Sequence, residues 1–529
     1  PNVICRGQVN SKSILKIELT GKTIASLPEC EIVSTASEDP DKFDFERVVL
    51  RHRLPDMYEN TYREEDFISQ LGGREISDRK DFTGIYTVTI DGETAKDFDD
   101  AVSLEKNSDG YILYVHIADV SAYISKNSPL DREALNRGNS YYLGNRVIPM
   151  LPEVLSNNLC SLVPHKERLT LTAVMNYDSA GRIKKSYFTR GKIYSDRRLT
   201  YNLADKILDE NSTSDESYSL LSELYEFTKI LKERRIENGR IDLNLSDNVL
   251  VYEDNRFTGI KPAKRLKSHS IIEECMLSAN EVVSKAIKDS GTASLYRIHE
   301  DMSAENILKI KKFLNSLGIH VKKQKDIGKT LQDIISSVKS REYEQVVNFI
   351  ILKSMMQAYY DVEPIGHFGL GFDDYTHFTS PIRRYPDLIV HRCLKTMIDK
   401  DKPAYSKEEL AIIGEKTSKT ERFAQKAERD LYKIKSCRIM ENHIGELFEG
   451  IISSIASFGI YVTLEKIPVE GMIPLKLLTD DFYLVKEDDY TVIGRRHGRR
   501  FILGDKIMIK VIRSDYVSMQ IDFEYINLL

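Results

Sequence analysis

Apolar and polar positions alternate in four different ways along this chain, and each change marks a change of architecture. Short β-rich runs at 3–9, 14–19 and 30–33 are separated by Gly, Ser and Pro turns, which predicts a small strand-rich module over residues 1–39. Residues 40–85 are charged and aperiodic, as in a surface-lying connector. From Tyr86 onward, Tyr86, Val88 and Ile90 alternate with Thr87, Thr89 and Asp91, the period of a half-buried strand. Two further apolar runs, 101–104 and 111–120, are joined by Asn107-Ser108-Asp109-Gly110, a hairpin signal. Helical periods follow. One helix is predicted from Ser128-Pro129 to a stop at Gly138, and a second carries Ile271, Ile272, Cys275, Met276, Ala279, Val283 and Ile287 on one face. A third begins at Pro386, and a capping box at Ser406 and Glu409 opens a fourth that reaches about Glu441. After Gly445 the period returns to two, with strands expected at 448–452, 459–464, 471–474, 506–512 and 519–523. About 85 residues of this kind suit a five-stranded barrel of the OB type. The chain is therefore expected to be α+β: a large mixed region over 86–444, a partial β-module and connector before it, and a barrel over 445–529.

Composition narrows the class. A chain of 529 residues with 41% hydrophobic and 30% charged residues buries a core, which excludes collagenous, disordered and disulfide-stapled proteins. Its six cysteines contain no C-x-x-C pair, so neither a zinc ribbon nor a thioredoxin-like motif is available, and a reducing cytoplasmic home is expected. No apolar run reaches the roughly 18 residues of a membrane-spanning helix, and residues 1–7 lack the core of a signal peptide. The first residue is Pro, which fits a processed or trimmed chain. A net charge of −5 argues against a protein that simply wraps nucleic acid, yet basic residues cluster at Lys261, Lys264, Arg265 and Lys267, at Arg383 and Arg384, and at Arg495, Arg496, Arg499 and Arg500.

The sharpest chemical feature is the segment TVTIDGETAKDFDDAV, residues 87–102, in which Asp91, Asp97, Asp99 and Asp100 fall within ten positions between two apolar strands. Carboxylates held about 4 Å apart repel by about 4 kcal/mol at an effective dielectric of 20, so a cation is expected among them. Oxygen ligands favour Mg²⁺ or Mn²⁺, whereas a solvated acidic turn is the reading without chemistry. The spacing is not that of an EF-hand. Gly328-Lys329-Thr330 lacks the earlier glycine of a phosphate-binding loop, His367, His377 and His391 complete no zinc set, and no G-x-S-x-G elbow occurs.

Taken with HIADVSAYI, SPLDREALNRGNSYYL, RVIPMLPEVLSNNLCSL, RLTYNLADKI, IIEECMLSAN, HFGLGFDDYTHFTSPIRRYPDLIVHR and KAERD, this segment resembles the RNB family of exoribonucleases, nearer the ribonuclease R branch than the ribonuclease II branch. The resemblance extends from Tyr86 through a C-terminal barrel similar to the S1 RNA-binding domain. It implies Mg²⁺-dependent, processive 3′→5′ hydrolysis of single-stranded RNA with a free 3′ end, giving nucleoside 5′-monophosphates, with Mn²⁺ as a substitute metal. It further implies a cytoplasmic monomer without membrane attachment, and the ribosome or an RNA helicase as candidate partners. Residues 1–39 fit a remnant of one of the family's N-terminal cold-shock barrels.

Carried over position by position, the resemblance assigns Asp91 and Asp100 to metal coordination, Asp99 to hydrolysis, Asp97 to the neighbourhood of the 3′ hydroxyl, and all four to the metal environment. Arg383 matches the arginine that grips the scissile phosphate, with Arg384 as support. Tyr142 matches the tyrosine that stacks on the 3′-terminal nucleotide, with Tyr141 as the alternative register. Tyr201 and Glu273 match the positions that read the ribose, and Glu274 is expected to be an ordinary exposed helix residue. Glu428 matches an acidic residue near the site, the alternative being an exposed position on a charged helix. On the S1 face Phe448, Phe458 and Tyr461 are candidate stacking aromatics, with barrel core as the alternative, and the loop of Arg495 to Arg500 is a candidate for phosphate contact. The family's second stacking aromatic has no counterpart around residues 240–245. Two rival functions remain: a catalytically silent RNA-binding scaffold of the same fold, and a phosphodiesterase that cuts DNA or cuts internally.

Overall fold

Seven strands form the central sheet, in the order Arg197–Thr200, Val88–Asp91, Asp100–Asn107, Gly110–Ala118, Glu167–Tyr177, Ile183–Tyr194, Lys80–Asp81. The outer pairs at both edges are parallel and the inner ones antiparallel. The computed structural model describes residues 4–6, 15–24, 27–35, 39–59, 61–243, 248–316, 318–319, 327–339, 341, 344–486 and 490–529. Within the β-module it shows Ile4–Arg6, Leu15–Ile24 and Leu27–Thr35 as one three-stranded sheet.

The strand at 88–91 is not half-buried. Val88 and Ile90 face a core shared with the helices Tyr201–Asp209, Tyr218–Glu237 and Lys267–Ser290, but Thr87 and Thr89 are also fully buried. Helices cover both faces of this sheet, so polar side chains on either face are enclosed: Thr87 Oγ1 finds partners inside, 2.8 Å from the Ile85 carbonyl and 2.7 Å from Ser103 Oγ. The expected hairpin joins Asp100–Asn107 to Gly110–Ala118.

The four expected helices are present as Pro129–Arg137, Lys267–Ser290, Tyr385–Asp399 and the 35-residue Lys407–Glu441. Ser128 caps the first, accepting from the Asp131 N–H at 3.1 Å, and Gly138 ends it at φ 71°. A Cβ at Gly138 would lie 2.0 Å from Thr420 Oγ1, so only glycine lets this turn meet the long helix. Ser406 and Glu409 form the reciprocal cap expected of them, at 3.2 and 2.9 Å.

Residues 40–85 differ from an irregular surface connector. Pro40–His52 is a helix capped by Asp39, and its Asp44 is fully buried against the long helix, accepting from Lys435 Nζ and Arg438 Nε at 2.8 Å each. Its charges read as solvent-facing because their partners lie almost 400 residues away in sequence. Val48, Phe67 and Phe82 from the same stretch are also buried.

Leu447–Ala456, Gly459–Leu464, Glu470–Pro474, Lys506–Asp515 and Gln520–Leu528 close a five-stranded barrel. A meander of Tyr483–Lys486, Thr491–Gly494 and Arg500–Ile502 is inserted between the third and fourth of these strands. The barrel core is continuous with the helices Ala304–Ser316, Ile327–Val338 and Glu344–Ser354, which the hydrophobic pattern did not single out. Gly328 and Thr330 are buried within Ile327–Val338, not in a phosphate-binding loop. Among the described residues no helix is long and apolar enough to cross a membrane.

Candidate active site

Asp91 ends its strand and Asp100 begins the next, so the intervening loop brings Asp97 and Asp99 back over the same sheet edge. The parallel register pairs Asp91 with Thr200, which places Tyr201, the first residue of the helix capped by Thr200, beside the aspartates. From the other side comes the turn that starts the helix Tyr385–Asp399. Asp387 Oδ1 accepts from the Ser380 N–H at 2.7 Å, and Asp99 Oδ1 accepts from the Ile382 N–H at 2.8 Å, fixing this turn to the acidic loop. Arg383 Nε then lies 3.4 Å from Asp99 Oδ2, and its Nη2 donates to Ser380 Oγ at 2.9 Å.

A third element is the hairpin of Tyr141–Leu143 and Arg146–Ile148, tied to the arginine turn by the Ser140 N–H donating to the Arg383 carbonyl at 3.0 Å. Strand alternation buries Tyr141 and Leu143 and turns Tyr142 outward, where its hydroxyl donates to Asp97 Oδ2 at 3.0 Å. Tyr142, and not Tyr141, therefore faces the aspartates. Together Asp91, Asp97, Asp99, Asp100, Tyr142, Tyr201, Arg383 and Arg384 line a pocket of about 410 Å³.

This pocket is short of positive charge. Burial raises the Asp99 carboxyl well above its usual range, against the opposing pull of Arg383 and the Ile382 N–H. Burial, and then Asp100, raise Asp91; burial also raises Asp100, with Arg383 and Arg384 opposing. Asp91 Oδ2 and Asp99 Oδ2 are buried without any hydrogen-bond partner. Two orphaned carboxylate oxygens among mutually repelling acids fit a hard divalent cation. Among the described residues no group of three or more His, Cys, Asp or Glu side chains converges closely enough to hold an ion by itself. Mg²⁺ does not require one, since it typically uses one or two carboxylates and completes its shell with water and substrate phosphate.

The remaining candidates lie elsewhere. Glu273 is on the rim of the helix Lys267–Ser290, with its carboxylate engaged by Arg240 and, at 3.3 Å, by Arg265. Glu274 is not an exposed helix residue: it is fully buried, paired with Arg240 and with Arg235 Nη1 at 3.2 Å. That helix is enclosed on most sides, and two arginines from the preceding segment compensate the buried charge. Glu428 is exposed on the long helix and outside the pocket. Phe458, 59% exposed, and Tyr461 form an edge-on pair with centroids 6.4 Å apart on the barrel. Phe448 is buried in the barrel core and is no stacking residue. Of residues 240–245, Asn244 and Leu245 lie outside the described residues.

Sequence reasoning missed Asn280, which lines the pocket, donates to Tyr375 Oη at 3.0 Å and accepts from the Phe378 N–H at 2.8 Å. Its signal was an amide next to Ala279 on an otherwise apolar helix face. Arg198 was also missed. It donates to the Gly92 and Glu93 carbonyls at 2.7 and 3.0 Å, pinning the start of the acidic loop.

Known proteins resemble this chain in sequence and fold. The family model described as RNB domain matches residues 79–400, and that described as S1 RNA binding domain matches 441–525. The ribonuclease R of Thermotoga maritima is 38% identical over 96% of this chain and 74% of its own length. That of Escherichia coli is 37% identical over 85% of this chain, which spans 57% of the E. coli protein. The solved structure of Mycoplasma genitalium RNase R in complex with ribose methylated single-stranded RNA matches with a TM-score of 0.91 at 26% identity, covering 99% of this chain and 85% of that one. With the catalytic-domain model matching more than half of its length and a relative so similar over most of both proteins, this chain belongs to the RNB family, among its ribonuclease R members.

Proposed function

We propose that this chain is a processive 3′→5′ exoribonuclease that hydrolyses single-stranded RNA from a free 3′ end to nucleoside 5′-monophosphates. The observation that carries this reading is the meeting of four aspartates and Arg383 in one pocket where the buried Asp91 Oδ2 and Asp99 Oδ2 accept no hydrogen bond. A silent scaffold of the same fold would have no reason to keep four acids clustered around one arginine with buried oxygens that accept no hydrogen bond, because such a cluster costs stability unless something binds there.

In this reading Asp91, Asp97, Asp99 and Asp100 supply the ligands for Mg²⁺, with Mn²⁺ as a substitute. When bound, such a cation polarises the scissile phosphate and lowers the pKa of an attacking water. Arg383 meets the phosphate: its planar fork donates two parallel bonds to oxygens whose charge grows in the transition state. The bond from the Ile382 N–H to Asp99 holds the acid and the arginine turn in one register, so the two approach the same phosphorus. Tyr142 presents its ring to the terminal base, while its hydroxyl orients Asp97 toward the 3′ hydroxyl. Tyr201, packed on His269 with centroids 4.1 Å apart, presents its other edge to the sugar, and Glu273 on the nearby rim accepts from a 2′ hydroxyl that DNA lacks. Phe458, Tyr461 and Glu428 act farther out, on the incoming strand. Family membership supports a cytoplasmic setting, with a helicase or the ribosome as a supplier of free 3′ ends.

The test is to incubate the protein with Mg²⁺ and 5′-labelled single-stranded RNA and resolve the products. A shrinking ladder supports the proposal. Intact RNA favours the scaffold, internal fragments favour an endonuclease, and equal digestion of matched DNA removes the ribose-reading role.

A further inference from the structure

A cluster of basic side chains away from the active site stands at the tip of the barrel's inserted meander. Between Thr491–Gly494 and Arg500–Ile502 the chain reads Arg495-Arg496-His497-Gly498-Arg499-Arg500, in a protein whose net charge is −5. The tip is a built turn. Asp481 accepts from the Arg496 N–H at 2.9 Å and the His497 N–H at 2.8 Å, and the Arg495 N–H donates to the Phe482 carbonyl at 3.0 Å. Gly498 takes φ 66°, which completes the reversal.

Side-chain pairing divides these arginines into two kinds. Arg499 is fixed structurally, donating to Asp480 Oδ2 at 2.5 Å and covering the ring of Tyr525. Arg495, Arg496 and Arg500 are exposed and, among the described residues, make no ion pair with a carboxylate. The Arg495 guanidinium lies 5.3 Å from the centroid of Phe482, a ring that is itself 61% exposed. A protein surface seldom leaves a large aromatic and three guanidinium groups together in water, because both the apolar face and the concentrated charge gain from a partner.

We infer that this tip is a binding site for the backbone and a base of single-stranded RNA, separate from the pocket of the four aspartates and from the barrel pair Phe458 and Tyr461. Guanidinium forks fit phosphates, and an open ring backed by a guanidinium fits a base of any identity; phosphate donors interleaved with a stacking face are the pattern of sequence-tolerant single-strand binding. An acidic protein surface would also engage the arginines, but the strand that the proposed activity takes as substrate is the partner that offers phosphates and stackable bases together. The inference rests on RNA being the substrate, and it makes the tip a holding point for the strand still to be degraded.

The test measures affinity for an unstructured 30-nucleotide RNA across a salt series, in a D99N background so that the strand survives. Replacing Arg495, Arg496 and Arg500 together by Gln should lower the log–log salt slope by about 2, at about 0.7 per phosphate. Phe482→Leu should weaken binding about five- to hundred-fold with the slope unchanged. Lys229→Gln, Lys407→Gln and Lys419→Gln together shift net charge equally but remove only exposed, already paired lysines, and should leave the slope as it was. A slope that does not change in the arginine variant overturns the site. An arginine effect without a Phe482 effect also overturns the single-strand assignment and points to an acidic protein partner. Failure of the parent protein to shorten labelled RNA refutes the proposed activity instead, so the two ideas fall separately.

Discussion

Tyr142 offers two interactions that can be removed one at a time. Its ring faces the aspartate pocket from the exposed side of the hairpin, and its hydroxyl donates to Asp97 Oδ2 at 3.0 Å. Base stacking on one aromatic contributes about 1–3 kcal/mol, a five- to hundred-fold effect on residence of the terminal nucleotide. A hydrogen bond to a charged acceptor contributes about 1.5–3 kcal/mol, and here it acts on the orientation of Asp97. A processive 3′ exonuclease releases its substrate when too few nucleotides remain to be held. Tyr142→Ala should therefore lengthen the limit product on 5′-labelled poly(A) and slow each step, whereas Tyr142→Phe should keep the wild-type limit product and slow turnover alone, by about tenfold or more. Tyr141 is buried with its hydroxyl on the Arg137 carbonyl at 3.1 Å, so Tyr141→Phe should lower the unfolding temperature without altering the limit product. Limit digests and single-turnover rates on the same RNA separate these effects. A longer product from Tyr142→Phe, or from Tyr141→Phe with Tyr142→Ala unchanged, would refute the division of labour.

Three further outcomes are expected. Asp99→Asn keeps an acceptor for the Ile382 N–H but removes a buried charge, so nucleotide release should stop while RNA affinity stays within a few-fold and thermal stability rises; binding lost in parallel with activity would contradict a chemical role. Glu273→Ala should narrow the RNA-over-DNA preference by about 1.5–3 kcal/mol, whereas Glu274→Ala should destabilise the fold by about 3–5 kcal/mol by leaving Arg235 and Arg240 unpaired; an unchanged sugar preference would move that role to Tyr201. Burial lowers the pKa of His116 to about 3, so as pH falls below about 6.5 the unfolded chain takes up a proton first, and stability drops by about 1.4 kcal/mol per pH unit until the folded form also titrates. Urea midpoints should then show a shallower acid dependence for His116→Gln than for the parent between pH 6.5 and 4.5, and equal slopes would exclude this source of acid lability.

Much of the architecture was legible in the sequence because it depends on local rules. The capping box at Ser406, the stop at Gly138, the hairpin at residues 107–110 and the five barrel strands follow from turn chemistry and from periods of 2 and 3.6, which need no partner to be read. The aspartate cluster was legible for a related reason: four acids between two apolar strands are conspicuous wherever the strands go. What the sequence could not settle were questions of facing and pairing. That Tyr142 and not Tyr141 meets Asp97 depends on which side of a three-residue strand packs against the long helix. That Glu274 is buried while Glu273 sits on the rim depends on arginines 34 to 39 positions earlier folding back onto one helix. Thr87 and Thr89 read as solvent-facing because alternation reports polarity, not whether a second layer of helices covers the far side of the sheet. The segment 40–85 read as a connector because the groups that neutralise Asp44 are Lys435 and Arg438. Local periodicity is a property of neighbours in the chain, so it determines which elements form; the burial of a charge is a property of neighbours in space, and only the tertiary structure decides that.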